Sequence, residues 1–122
     1  MRPYTDSADA IKAYAEEVNF DLTTCKVTDI AESSDSRGGL LLEFNNFYNR
    51  PIVMTIHHNW GDLFDITFES KSTGQSDTVY DQDFNQLMFM FNGFKLAQTA
   101  TDKGDWINKV DKSMEDFRWV LI

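Results

Sequence analysis

A chain of 122 residues that is 42% hydrophobic, with ten Phe, three Trp and four Tyr, holds enough apolar material for one self-sufficient core, which excludes a disordered chain. Twenty acids against eleven bases leave a net charge of −9, which repels phosphate backbones and anionic lipid and so disfavours nucleic acid and membrane as direct partners. One cysteine, Cys25, excludes an internal disulfide framework and a Cys-rich zinc site; with neither an export signal nor a spanning segment, the chain reads as cytoplasmic.

The acidity is regional. Residues 1–36 hold eight acids and three bases and residues 61–85 six acids and one base, whereas 86–122 are balanced. A protein partner with a basic surface is the class this distribution favours.

In chain order, the first expected element is an amphipathic helix over 6–18, where Ile11, Tyr14, Ala15 and Val18 recur at spacings of three and four, with Asp6 and Asp9 at the positive end of the dipole. Asn19 ends it. Residues 20–30, with Leu22, Cys25, Val27 and Ile30 among threonines, read as a strand. Residues 32–39 are rich in Ser, Asp and Gly and read as an exposed loop.

Alternation then sharpens. Leu40, Leu42 and Phe44 oppose Leu41, Glu43 and Asn45; after a turn at Asn49-Arg50-Pro51, Ile52, Met54 and Ile56 oppose Val53, Thr55 and His57. A second turn at 59–62 leads to Phe64, Ile66 and Phe68 on one face, with Asp65, Thr67 and Glu69 on the other. The Ser-, Thr- and Gly-rich stretch 71–77 closes the sheet. Residues 80–93 fit a helix stripe through Phe84, Leu87, Met88 and Phe91, with Asp81 and Asp83 favoured at its start and Gly93 as a left-handed cap. A last helix over 105–121 carries Ile107, Val110, Met114, Phe117 and Leu121. The expected fold is α+β and a single domain: an antiparallel four-stranded meander with an N-terminal and two C-terminal helices packed on one sheet face.

Chemistry-bearing clusters are sparse. His57-His58 with Asn59, Asp62 and Asp65 offers metal-ligand residue types, but neighbouring strand residues point to opposite faces, so no metal site is expected there. Cys25 reads as a small, partly buried hydrophobe, and the pairs Asp62 with Asp65 and Asp81 with Asp83 read as structural. No phosphate loop, nucleophile elbow, H-E-x-x-H or Rossmann fingerprint is present, so neither catalysis nor a cofactor is expected.

The leading expectation is a small acidic protein-binding module. An inhibitor of a basic-cleft, nucleic-acid-processing protein is the model, as in viral anti-defence or antitoxin-like proteins. Asp62, Asp65, Glu69, Asp77, Asp81 and Asp83 would steer the partner, and Trp60, Phe47, Tyr48 and Arg50 would anchor it. Two further readings are a secretion or assembly chaperone acting as a dimer, and a ligand-binding or enzymatic domain with a pocket lined by Phe64, Ile66 and Phe68 and a histidine at its mouth.

Overall fold

Helix α1, Ser7–Glu17, buries Ala8, Ile11 and Ala15 and ends where Asn19 takes a left-handed φ of 61°. Asn19 N donates to Glu16 O at 2.9 Å and Phe20 N to Ala15 O at 3.0 Å. These are the two bonds of a Schellman motif, and its hydrophobic closure is Phe20 entering the core beside Ala15. The computed structural model in which this is seen describes residues 7–45 and 50–99, with 93–99 as backbone only.

Five strands follow: β1 Lys26–Ile30, β2 Gly39–Asn45, β3 Pro51–His58, β4 Phe64–Ser70 and β5 Ser76–Gln82. They pair antiparallel in sequence order as one meander. Rows such as Leu42–Met54–Phe68 and Leu40–Ile56–Ile66 cross the three central strands, and every one of these side chains is fully buried. That face receives α1 and the second helix, α2, Phe84–Thr99, which adds Leu87, Met90 and Phe91. At roughly 1.5–3 kcal/mol per buried large side chain, this layer is the main stabilising element. Among the described residues no helix is long and apolar enough to cross a membrane.

Two adjacent glycines allow β2 to begin where it does. Gly38 has a φ of +94°, and a Cβ there would lie 2.5 Å from Ile30 O; at Gly39 a Cβ would lie 1.8 Å from Ile56 O. Only backbone without a side chain passes so close to two neighbouring strands.

The architecture is α+β, as the sequence predicts, but the described residues form five strands and two helices. The extra strand is β5, whose sequence reads in part as a loop closing the sheet and in part as helix. It is an edge strand, half-buried or exposed throughout, so it has no apolar alternation to reveal it and is held by its ladder to β4. The first strand is shorter than expected because Asp21 Oδ1 accepts from Thr23 N at 3.0 Å and starts a 3₁₀ turn at Leu22–Thr24. Helix α2 begins at Phe84, not 80, and runs through Gly93 to Thr99, so Gly93 does not cap it. The helix expected over 105–121 lies outside the described residues, as do Phe47 and Tyr48.

Candidate partner-binding surface

The β3–β4 turn is organised by the Asn59 side chain. Its Oδ1 accepts from Gly61 N at 2.9 Å and Leu63 N at 3.1 Å, while Asp62 takes the left-handed φ of 64° that the turn requires. Its Nδ2 donates to Asp65 Oδ1 at 3.1 Å and to Asp81 Oδ1 at 2.9 Å. One amide thus closes a turn and bridges two carboxylates from different strands.

Asp81 is not at a helix start. It sits in β5 at a φ of 54°, at a bulge where Phe64 pairs with Gln82 but Ile66 with Val79, so Tyr80 and Asp81 together face Asp65. The Asp81 N–H is taken out of the ladder and donates to Asp65 Oδ1 at 3.0 Å. Bulges re-aim side chains, and this one turns Tyr80 outward, 69% exposed. Asp83 does cap α2: its Oδ1 accepts from Gln86 N at 2.9 Å, and Gln86 Oε1 accepts from Asp83 N at 2.7 Å, a reciprocal capping box.

His58 is buried and stacks on Phe64 with ring centroids 5.1 Å apart. Its Nε2 lies 2.6 Å from Asp62 Oδ1 and its Nδ1 2.8 Å from Ser7 Oγ. A carboxylate can only accept, so Nε2 carries a proton; in the neutral ring Nδ1 then accepts from the Ser7 hydroxyl. This chain of contacts ties the start of α1 to the turn. Ser7 is buried, so the Ser-His-Asp sequence of contacts is a clamp between elements. His57 points to the opposite sheet face, and among the described residues no three His, Cys, Asp or Glu side chains converge to hold a metal ion. Burial pushes the Cys25 thiol up from its ordinary pKa, disfavouring the thiolate.

The expected binding residues divide between the two ends of the sheet. Asp62, Asp65, Asp81 and Asp83 gather with Trp60 at the β3–β4 end. Glu69, Asp77 and Arg50 lie at the other, where Phe68 pairs with Asp77 and Lys71 N donates to Pro51 O. Phe64, Ile66 and Phe68 are each at most 6% exposed and belong to the core cluster. The sequence reading did not place Asn59, Tyr80 and Phe84 on this surface. Phe84 lies on the predicted helix stripe, yet it is 42% exposed, packed edge-on against Tyr14 at the margin of the core. The acidic end therefore carries exposed Trp60, Tyr80 and Phe84 beside its carboxylates.

A separate groove of about 520 Å³ lies between the end of α1 and α2, lined by Val18, Asn19, Asn85, Met88, Phe89 and Asn92. No protein-family model, curated protein or solved structure matches the chain.

Proposed function

We propose that the chain is a non-enzymatic, cytoplasmic protein-binding module whose β3–β4 end docks on a basic surface, as an inhibitor of a nucleic-acid-processing protein would. The observation that carries this reading is the Asn59-bridged carboxylate group set among exposed aromatic rings. Aromatic anchors supply affinity, and surrounding acids steer a cationic partner. Asp65 and Asp83 accept bonds from backbone N–H groups, and Asp62 and Asp81 from the His58 and Asn59 side chains, bonds that an Asn oxygen also accepts, so Asp62→Asn and Asp81→Asn are the better tests of steering. Capture from lysate at about 50 and about 300 mM salt, concentrations that bracket weak and strong screening, compares the wild type with an Asp62→Asn/Asp81→Asn protein. A basic partner retained by the wild type at low salt, and lost both at high salt and on neutralisation, is the expected result. Identical capture by both proteins would refute the assignment.

A second reading, a chaperone that holds an unfolded client segment, draws on the groove beside Phe89, which is 48% exposed. Protection of a client from aggregation, lost in Phe89→Ser but kept in Asp62→Asn/Asp81→Asn, would favour it over the acidic surface.

A further inference from the structure

We propose that Arg37, held on the face of Trp60, receives an oxyanion, the carboxylate or phosphate group of a ligand. The Arg37 guanidinium carbon lies 5.3 Å from the Trp60 ring centroid, and the ring is itself fixed by Trp60 Nε1 donating to Ser34 O at 3.2 Å. The Arg37 backbone is fixed too, its N–H donating to His58 O at 2.8 Å. Nε is closed off from solvent with nothing to accept its proton, so an oxyanion would meet the terminal nitrogens of the guanidinium, and among the described residues no carboxylate pairs with it. In a chain with twenty acids the missing pair does not reflect a shortage of carboxylates.

Acids of the adjoining elements are engaged otherwise or lie exposed in the loop. Asp62 meets His58 and Asp65 meets Asn59, while Glu32 and Asp35 are exposed in the loop. Next to Arg37, Ser36 is buried, its Oγ accepting from Gly38 N at 3.2 Å and lying 3.5 Å from His57 Nδ1. His57 thus stands at the edge of the same loop, and Gly39, its cross-strand partner, adds no side chain between them. A guanidinium fork restrained in this way has already lost the rotamer freedom that binding costs, and it matches the geometry of carboxylate and phosphate oxygens.

The site shares Trp60 with the proposed partner surface but uses none of its carboxylates, and its test needs no protein partner. Two-dimensional ¹⁵N NMR follows the Trp60 indole N–H and the Arg37 Nε–H while sodium phosphate or sodium acetate replaces chloride at constant ionic strength. Saturable shifts of both resonances are expected. Response to phosphate alone identifies a phosphate site, response to acetate alone a carboxylate site, and response to both a general oxyanion site. Arg37→Gln abolishes the Trp60 response, and Arg37→Lys, which keeps the charge and loses the fork, weakens it about tenfold or more. Absent or non-saturating shifts in the wild type, or an undiminished Trp60 response in Arg37→Gln, would overturn the proposal.

Discussion

Replacing Asn59 with alanine removes four hydrogen bonds at once: two accepted from Gly61 and Leu63 N–H and two donated to Asp65 and Asp81. A typical net contribution is about 1 kcal/mol per bond, but water can replace much of what is lost at this accessible turn. The loss should therefore be about 2–3 kcal/mol, below the simple sum. For a chain of this length that lowers Tm by roughly 6–12 °C. Asn59→Asp separates the two halves of the role. It keeps the acceptor for the turn but places a third carboxylate against Asp65 and Asp81, so at neutral pH it should be at least as destabilising as alanine, and added salt should recover part of the loss. Urea denaturation of the three proteins at low and high ionic strength measures this. An Asn59→Asp protein as stable as the wild type at low salt would refute the bridging role, and a loss under about 0.5 kcal/mol in Asn59→Ala would refute the organising role altogether.

Other consequences follow from the same geometry. Asn19→Ala should cost about 1 kcal/mol because a left-handed φ is imposed on a Cβ, and Asn19→Gly should gain a few tenths, both read from thermal unfolding. Gly39→Ala forces a Cβ against the Ile56 carbonyl and should cost about 3 kcal/mol or leave the chain unfolded by circular dichroism. Gly61→Ala, meeting only the Asn59 side-chain oxygen at 3.3 Å, should stay within about 1 kcal/mol of the wild type. Glu43 accepts a hydrogen bond from Lys71, and this, with the nearby Lys26 charge, holds its carboxyl below the ordinary pKa. A depressed carboxyl stabilises the fold above its unfolded pKa and loses that contribution as pH falls through the folded value. Glu43→Gln should therefore be less stable than the wild type at pH 7, with the difference closing under about pH 4.3, as urea denaturation at several pH values would show.

What was legible in the sequence was whatever burial made periodic. The faces of β2, β3 and β4 stand as their alternation predicts, because each strand has one face in the core and one outside it. The helix stripes are equally visible at Ile11 and Ala15 and at Leu87 and Phe91, all fully buried. Edge strand β5 was not, since Val79 is its one hydrophobic residue packed against the core. Its bulge depends on the Asp81 N–H finding a carboxylate on another strand, a long-range fact that no local pattern encodes. Of the acids of 61–85, Asp62, Asp65, Asp81 and Asp83 lie together at one end of the sheet, while Glu69 and Asp77 lie at the other. Sequence proximity grouped Glu69 and Asp77 with the others, whereas an antiparallel meander sends alternate turns to opposite ends of the sheet. Asn59 had a signal in retrospect: an Asn opening an Asn-Trp-Gly-Asp turn commonly folds its side chain back on the next amides.

An electrostatically steered docking surface at the β3–β4 end, as proposed, makes a kinetic prediction. Its most direct test is the association rate of the captured partner across a range of ionic strength, for the wild type and for Asp62→Asn/Asp81→Asn. Steering predicts a wild-type rate that falls steeply with salt and a variant rate that is roughly tenfold lower at low salt, with dissociation little changed. Equal association rates for the two proteins at every ionic strength would refute steering by Asp62 and Asp81.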